Sequence, residues 1–208
     1  QIKSISDELV ALNNKEKKMK EKKKKLFLLL AVILLLTSCS PIDEKNEVVG
    51  EIQESGKLVV ATSADYPPYE FIKTIDGKDE IVGFDIQIAQ YIADSWGVKL
   101  EVKDVEFESL LLGLETGMDD MVVAGMSPSP EREEKAAFSD IYYNAEHGVL
   151  VKKENKDKYK KLEDLDGKVV GVQLGSVQED IIDEYKNIDK QDLGLVTNVI
   201  LELKTDNV

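Results

Sequence analysis

The sequence predicts an α/β fold of two lobes with mostly parallel sheets, and three observations lead to this prediction. Short apolar runs rich in β-branched residues, such as KLVVATS at 57–63, are typical of strands covered on both faces. These runs alternate with segments of helical periodicity, which is the pattern of parallel α/β sheets. The alternation occurs twice, with a break near residues 144–150, so two lobes are favoured over one sheet.

The first series of elements defines a predicted first lobe over residues 57–146. Apolar side chains at four-residue spacing indicate a helix that Gly97 can end. Ser129 and Pro130 are typical of a helix cap and a first helical residue. The predicted strands are 57–63, 99–105 and 120–126, and the predicted helices are 83–97, 108–117 and 130–138.

The second series defines a predicted second lobe over residues 147–208. Ser176 and Glu179 have the spacing of a capping box, which satisfies free N–H groups at a helix start. Apolar side chains at four-residue spacing follow this pair. The predicted elements are strands over 147–153, 168–173 and 195–203 and a helix over 176–187.

Residues 19–38 have the plan of a secretory signal peptide: a basic start, an apolar core and small residues at the end. The apolar core is shorter than the roughly 20 residues of a membrane-spanning helix. The stretch from Leu36 to Cys39 resembles the bacterial lipobox, whose cysteine receives a diacylglyceryl group and becomes the mature N-terminus. The resemblance implies that Cys39, the one cysteine of the chain, is a lipid anchor; a buried free cysteine is the alternative.

The segments on either side of the signal peptide have no folded pattern. Residues 1–18 do not fit the plan of a signal peptide, so we interpret them as translated upstream sequence before a start at Met19. A long natural basic region is the alternative. Residues 39–56 are polar and weakly patterned, and we predict a lipidated tether leading to the folded body.

Composition excludes some classes of function. The chain has 27 basic and 41 acidic residues and a net charge of −14, and removal of residues 1–38 makes the remainder more acidic still. Nucleic acids and anionic lipid surfaces require basic patches, so neither is an expected partner. His147 is the only histidine, which gives little basis for a catalytic triad or a zinc site. We therefore expect no metal and no cofactor.

Three loops follow predicted strands, at the ends where open α/β sheets bind ligands. The loop at 63–71 (SADYPPYEF) offers aromatic rings, and the loop at 126–132 (MSPSPER) offers hydroxyls and an arginine. The loop at 173–179 (QLGSVQE) offers a glycine turn into a capped helix. Because Arg132 can hold a carboxylate with two parallel hydrogen bonds, these ligand loops favour a small ligand with an anionic end and a stacking side chain.

Several stretches together resemble the extracytoplasmic solute-binding proteins of bacterial ABC importers, in particular the polar amino-acid group. They are TSADYPPYEF, GFDIQIAQYIA, FESLLLGLETGMDDMVVAGMSPSPER, AFSDIYY and LEDLDGKVVGVQLGSVQE, and the resemblance covers about residues 55–203. It implies a type II-like periplasmic-binding-protein fold, whose two lobes are joined by crossing strands and close over one amino acid. It also implies export, a membrane permease as partner and no enzymatic activity, and we expect a monomer.

The resemblance also implies ligand contacts in the first lobe. Tyr66 and Phe107 match the positions whose rings sandwich the ligand side chain. Gly125 matches a backbone carbonyl that accepts from the α-ammonium, and Arg132 matches the group that binds the carboxylate. Ser63 stands where relatives often carry an acid, which leaves specificity open. From the residues alone, Arg132 could be a surface charge and both aromatics could belong to the core.

The remaining implied contacts are hydroxyls and amides. Ser127 matches a hydroxyl near the ligand backbone, and Gln173 lies at a specificity position. Ser176 matches a second carboxylate contact, and Gln178 is expected to line the cleft. Asp65 is expected to face solvent, where it could favour a cationic ligand.

Two alternatives from other classes remain open. One is an enzyme of the same fold, such as a dehydratase, with Asp65 or Glu179 as acid or base. The other is the sensing module of a membrane receptor. The ligand is expected to be arginine, lysine, histidine or glutamine, with a slight preference for basic side chains. Because the family's chain returns to its first lobe, we expect a fragment whose second lobe is incomplete at Val208.

Overall fold

The computed structural model describes residues 44–208, whose strands form three sheets. The strands are β1 (Lys57–Thr62), β2 (Asp65–Tyr66), β3 (Glu70–Ile75), β4 (Lys78–Val82), β5 (Lys99–Asp104), β6 (Met121–Val122), β7 (Val169–Gln173) and β8 (Asp189–Leu193). The α-helices are α1 (Glu44–Ser55), α2 (Phe84–Trp96), α3 (Leu110–Glu115), α4 (Pro130–Glu133), α5 (Val177–Asp183) and α6 (Val196–Lys204). Short 3₁₀ turns lie at Phe107–Ser109, Lys153–Asn155 and Leu162–Leu165.

The first sheet is parallel, with strand order β5-β1-β6, and β1 is its centre. Every residue of β1 after Lys57 is buried, which confirms the predicted strand covered on both faces. One face packs against α2 in a core of Ile52, Leu58, Val60, Ala89, Ala93, Val98 and Val123. The other face packs through Ala61 against Leu110 of α3 and Ala124. The core therefore holds β1 with its carboxyl end beside the loop at 63–71.

A three-stranded antiparallel sheet, β2-β3-β4, follows β1 and was not predicted. Its β3–β4 turn contains Asp76 and Gly77, which both have positive φ, at 51° and 78°. Asp-Gly between two strands is a strong hairpin signal, so the sequence did carry this information. The start of β3 docks on α2, because the N–H of Asp85 donates to the Tyr69 carbonyl at 2.9 Å.

The third sheet pairs β7 with β8 in parallel, and it lies within the predicted second lobe. Its core contains Leu165, Val172, Ile182 and Ile188. The strand at 168–173 is confirmed as β7, and the helix predicted over 176–187 is confirmed as α5 but ends earlier, at Asp183. The side chain of Ser176 accepts the backbone N–H of Glu179, as its predicted cap role requires.

The strand predicted over 195–203 is wrong, because this segment forms α6. Val196, Val199, Ile200 and Leu203 recur at i, i+3, i+4 and i+7, which is also a helical pattern. The strand that pairs with β7 is instead β8, whose sequence DKQDL is polar. Backbone pairing with β7, and not side-chain composition, makes it a strand.

Other predicted elements are absent or shorter than expected. The strand predicted over 147–153 is wrong: residues 137–152 form neither helix nor strand, and Val149 and Leu150 are exposed. A β-branched run needs a partner strand to form a ladder, and the described residues provide none here. The strand at 120–126 shortens to β6, and Gly125, three residues beyond its end, has a positive φ of 53°. The helix at 130–138 ends at Glu133.

The expected tether over 39–56 is partly a helix. Residues from Glu44 onward form α1, and Ile52 is 5% exposed within the core. Residues 1–18, the signal peptide at 19–38 and Cys39 lie outside the described residues. Among residues 44–208, no helix has the length and apolar character needed to cross a membrane.

Gly83 occupies a position where a side chain has no room. Its φ is 142°, and an added Cβ would overlap the Tyr69 carbonyl oxygen. We expect Gly83→Ala to lower the free energy of unfolding by at least about 2 kcal/mol, through backbone strain and displacement of the hairpin. Gly77→Ala is the matched control, because Gly77 has positive φ but open space around it, and it should cost only about 1–2 kcal/mol. Urea denaturation measures both, and equal losses would contradict the close packing at Gly83.

Candidate functional site

The ligand loops of the two predicted lobes lie against each other at the carboxyl ends of their parallel strands. A Cβ placed on Gly175 would lie 3.1 Å from the Cα atom of Glu108, and one on Gly194 would lie 3.3 Å from the Glu106 carboxyl. The backbone N–H of Thr197 donates to Asp65 Oδ2 at 3.3 Å. These contacts bring segments of the two predicted lobes together beside the ligand loops, at the strand ends where open α/β sheets bind ligands.

Arg132 lies where the two predicted lobes meet. Ser129 caps α4 and accepts the backbone N–H of Arg132, and Pro130 occupies the first turn, so the helix start sets the position of the arginine. The residue is 8% exposed. Its Nη1 donates to the Ser127 carbonyl at 2.6 Å, and its Nη2 donates to the Gly175 carbonyl of the second lobe at 2.8 Å. The guanidinium therefore bridges the two lobes.

The buried guanidinium of Arg132 has no carboxylate partner within the described chain. No acidic side chain of residues 47–208 is within ion-pair distance, and burial lowers the pKa of Arg132 against the weaker, opposite effects of Asp180 and Glu131. A guanidinium has five N–H donors, and the two side-chain hydrogen bonds use two of them. An uncompensated buried charge is costly, and the role of Arg132 in binding a carboxylate stays a prediction.

Aromatic rings flank the two ends of the site. Tyr66 stacks on Tyr69 with ring centres 5.4 Å apart, and its Cδ1 lies 3.9 Å from the Cβ position of Gly125. Phe107 lies on the other side, with its ring centre 5.7 Å from Arg132 Cζ. Phe107 also packs on the core beside Leu110. The structure thus brings Tyr66 to Gly125 and Phe107 to Arg132, while the sandwich around a ligand stays a prediction.

Ser63 and Asp65 form a polar pair at the end of β1. Ser63 is buried, and its hydroxyl donates to Asp65 Oδ1 at 3.3 Å. The expectation that Asp65 faces solvent is wrong, because β2 turns its side chain inward and it is 9% exposed. Burial raises the pKa of Asp65, and the backbone N–H groups of Thr197 and Val196 act in the opposite direction. A buried carboxyl therefore lies close to the position where relatives were expected to carry an acid.

The predicted second-lobe contacts cluster around one turn. The Ser176 hydroxyl donates to the Gln173 carbonyl at 2.6 Å and accepts the N–H of Glu179 at 3.2 Å. In a capping box the Glu179 carboxylate would accept the backbone N–H of Ser176. Here Glu179 Oε2 accepts the backbone N–H of Gly175 instead, at 2.6 Å. These bonds stiffen the turn that presents the Gly175 carbonyl to Arg132.

Gln178 and Ser127 lie at the margins of the site. Gln178 Nε2 is 3.1 Å from Nδ1 of His147. Ser127 is exposed, and its carbonyl rather than its hydroxyl contacts Arg132. No group of three metal-ligating side chains occurs among residues 44–208.

Sequence reasoning missed a pair of buried acids beneath Gly125. Glu70 is 1% exposed and Asp85 is fully buried. Asp85 Oδ2 accepts the backbone N–H of Gly125 at 2.6 Å and the Tyr142 hydroxyl at 2.9 Å. Burial, and next the neighbouring Asp85, raise the pKa of Glu70 to about 9. The available signal was a single acid inside each of two apolar stretches, YEFI and GFDI.

The sheets and their facing loops define the two-lobe α/β architecture of periplasmic binding proteins. Residues 58–207 match the model of the bacterial extracellular solute-binding proteins, family 3. The chain belongs to this family.

Known relatives agree with this family. The chain is 41% identical over 159 residues to the arginine-binding extracellular protein ArtP of Bacillus subtilis, covering 74% of this chain and 60% of ArtP. An amino acid ABC transporter substrate-binding protein from Streptococcus pneumoniae, solved with L-arginine, matches with 40% identity and a TM-score of 0.76 over 77% of this chain and 68% of that one. The chain thus spans less than two thirds of ArtP.

The name of a second similar structure connects it with an enzyme. The ancestral amino acid-binding protein AncCDT-1, a precursor of cyclohexadienyl dehydratase, matches with 35% identity and a TM-score of 0.72. The match covers 77% of this chain and 70% of that one. The matched protein is itself named for amino-acid binding.

The raised pKa of Glu70 makes stability depend on pH. The folded value of about 9 lies above the ordinary value of 4.5, so the folded state keeps a proton that the unfolded chain loses. The free energy of unfolding should therefore decrease as pH rises from 4.5 to about 9. Urea titrations at several pH values measure the free energy of unfolding. Its decrease with pH should be smaller in Glu70→Gln than in the unsubstituted protein.

Glu80→Gln provides the matched control for this measurement. Glu80 lies on β4 of the same hairpin and is exposed, so its substitution should leave the pH dependence unchanged. Parallel stability curves for the unsubstituted protein and Glu70→Gln would contradict the raised pKa.

Proposed function

We propose that this chain belongs to the substrate-binding lipoprotein of an ABC importer, which captures L-arginine or a related basic amino acid. Lobe closure holds the ligand, and the closed protein delivers it to a membrane permease. The observation that carries this proposal is the buried Arg132 guanidinium, which has two carbonyl partners and no carboxylate within the described chain. The arginine-binding names of ArtP and the pneumococcal protein support the choice of ligand.

The ligand carboxylate takes the place of a carbonyl at Arg132. In the described state Nη2 donates to the Gly175 carbonyl, and three guanidinium N–H groups have no side-chain hydrogen bond. A carboxylate is a stronger acceptor than a carbonyl, and a guanidinium can hold it with two parallel bonds. The direct bond between Arg132 and the Gly175 carbonyl is therefore replaced by bonds from Arg132 to the ligand carboxylate, and the ligand then lies between the two lobes.

The ligand side chain and ammonium lie toward the other end of the site. Gly125 offers its carbonyl to the α-ammonium, and the rings of Tyr66 and Phe107 stack on the planar end of the ligand. Asp65 supplies the acid that Ser63 does not, because the two side chains are joined by a hydrogen bond. A cationic side chain then has an acidic partner out of bulk water. Gln173, Ser176, Gln178 and Ser127 complete the polar rim.

Closure follows from the chemistry of a zwitterion. Burial of its two charges without partners would be prohibitive, and only the closed form satisfies both charges with groups from both lobes. The ligand therefore shifts the population toward the closed form by its differential affinity. Ligand capture and lobe closure are one event in this account.

The membrane connection rests on the N-terminal residues. The signal peptide at 19–38 directs export, and Cys39 carries the lipid that holds the monomeric protein at the outer face of the cytoplasmic membrane. Two acyl chains hold a protein stably, whereas one holds it only marginally. The residues between Cys39 and the folded body let the protein reach its permease.

Capture without catalysis is favoured over a dehydratase-like activity. The two acids considered for catalysis are both engaged in the described structure. Asp65 accepts the Thr197 N–H, and Glu179 accepts from Gly175 and from the Lys190 ammonium at 2.9 Å. These partners hold both carboxyls in place, and Asp65 is assigned above to the ligand's cationic end.

The role of Arg132 is tested by a cycle of protein and ligand changes. L-Arginine and agmatine, which is arginine without its carboxylate, are titrated by calorimetry into the unsubstituted protein and Arg132→Ala. Loss of one member of a buried charge pair costs about 3–5 kcal/mol, so Arg132→Ala should weaken L-arginine binding at least about 100-fold. It should change agmatine binding little, because agmatine offers no carboxylate.

Lys135→Ala is the matched control. Lys135→Ala removes one positive charge just beyond α4. Because Lys135 pairs with Glu131 at the surface, the substitution should leave L-arginine affinity unchanged. Equal loss of both ligands in Arg132→Ala would mean that the guanidinium does not bind the carboxylate.

The role of Asp65 is tested by L-citrulline, a neutral analogue of L-arginine. Hydrogen bonds to charged groups contribute about 1.5–3 kcal/mol, so Asp65→Asn should reduce the preference for L-arginine over L-citrulline about ten- to 100-fold. Asp157→Asn is the control, because Asp157 is 80% exposed in the second lobe. A preference that survives Asp65→Asn would place the ligand's cationic end elsewhere.

A further inference from the structure

Glu70 and Asp85 are two acids buried side by side on elements that contact each other. Glu70 begins β3 and Asp85 lies in the first turn of α2. The backbone joins these elements directly, since the Asp85 N–H donates to the Tyr69 carbonyl. Neither carboxyl is accessible to solvent, so water cannot stabilise charge on either one.

The oxygens of the pair divide into two kinds. Asp85 Oδ2 accepts two hydrogen bonds, from Gly125 N–H and from the Tyr142 hydroxyl. Glu70 Oε2 and Asp85 Oδ1 are buried and have no partner in the described structure. One orphan oxygen on each of two adjacent carboxyls is the arrangement that a single proton between them would satisfy.

The charges around the pair favour retention of that proton. The groups that act on the Glu70 carboxyl are Asp85 of α2 and Asp65 of β2, and both are acidic. Tyr142 contributes a neutral hydroxyl to Asp85, and Tyr69 lies close enough to be affected by Asp85. Two carboxylates with no cation between them cannot both ionise in a buried site.

We infer that Glu70 and Asp85 share one proton and act as a single positioning unit for ligand binding. The shared proton leaves one negative charge, which is held on Asp85 because its Oδ2 has two donors. That charge fixes the Gly125 N–H and lies behind the loop that receives the ligand's ammonium group. The inference rests on the proposed role of Gly125.

The effect on the ligand has a geometric and an electrostatic part. Gly125 has φ of 53°. Glycine adopts this conformation readily but is not confined to it, because it has no side chain. The bond from its N–H to Asp85 holds this flexible residue, and so orients the carbonyl that follows. The single negative charge also favours a cationic ammonium nearby, since the site has a low dielectric constant.

The same oxygen connects the ligand loop to the segment between the lobes. Tyr142 belongs to residues 137–152, which contain neither helix nor strand. Its ring packs near Phe84 at 6.0 Å, and its hydroxyl ends on Asp85. Asp85 of α2 therefore holds Gly125 through its backbone N–H, and it holds the segment 137–152 through the Tyr142 hydroxyl.

The first measurement of the test needs no ligand. Carboxyl-carbon NMR with a pH titration follows Glu70, and the amide signal of Gly125 reports its hydrogen bond to Asp85. We expect Glu70 to be neutral at neutral pH, and we expect its pKa to fall when Asp85→Asn removes the neighbouring charge. An ionised Glu70 at neutral pH would overturn the shared proton, whether or not the protein binds arginine.

The second measurement uses L-arginine as the probe in calorimetry. Glu70→Gln replaces the shared proton with an amide donor and leaves Asp85 in place, so the Gly125 amide signal should shift less in Glu70→Gln than in Asp85→Asn. Asp85→Asn removes the charge that holds Gly125 and should weaken binding at least about tenfold, with a shifted Gly125 amide signal. Glu80→Gln, at the exposed end of the hairpin, should leave affinity and the Gly125 signal unchanged.

The outcomes separate this inference from the proposed function. Normal L-arginine affinity in a folded Asp85→Asn protein with an unchanged Gly125 signal would overturn the positioning role. Should Asp85→Asn fail to fold, Tyr142→Phe decides: it removes one of the two donors on Asp85 Oδ2, so it should shift the Gly125 amide signal and weaken L-arginine binding, and an unchanged signal with unchanged affinity would overturn the role. Absence of L-arginine binding in the unsubstituted protein would reject the proposed function while the Glu70 titration still decides the shared proton.

Discussion

The arrangement of the site depends on one constraint, a guanidinium buried without a carboxylate partner within the described chain. Arg132 is held by a capped helix start, by the ring of Phe107 and by two backbone carbonyls, and one carbonyl comes from each predicted lobe. Carbonyls satisfy donors but do not neutralise a charge, so the positive charge remains available to an anion. We therefore propose that the buried charge of Arg132 is retained for a ligand carboxylate.

The two ends of the site carry opposite buried charges, and this polarity matches an amino acid. Arg132 lies at one end, and the Glu70–Asp85 pair lies behind Gly125 at the other. Asp65, joined to Ser63, adds an acid where a ligand side chain would extend. All of these groups are buried, so salt and solvent screen the interactions between their charges and a nearby ligand only weakly. A ligand with a carboxylate, an ammonium and a cationic side chain satisfies all three.

Much of the fold and part of the site could be predicted from the sequence. The strand at 57–63 and the helix at 83–97 were predictable because burial on both faces and four-residue spacing leave strong patterns, and the Ser129–Pro130–Arg132 run marks its own helix start. The strand β8 was not predictable, since its polar residues take that form only by pairing with β7. The Gly175 carbonyl carries no side-chain signal, and the Glu70–Asp85 contact joins residues that only tertiary packing brings together.

The direct test of the account is a crystal structure of the protein with L-arginine bound. The account predicts that Arg132 has exchanged its Gly175 carbonyl for the ligand carboxylate, with the ligand ammonium at the Gly125 carbonyl. A complex in which Arg132 keeps both carbonyl bonds while the ligand carboxylate binds elsewhere would contradict it.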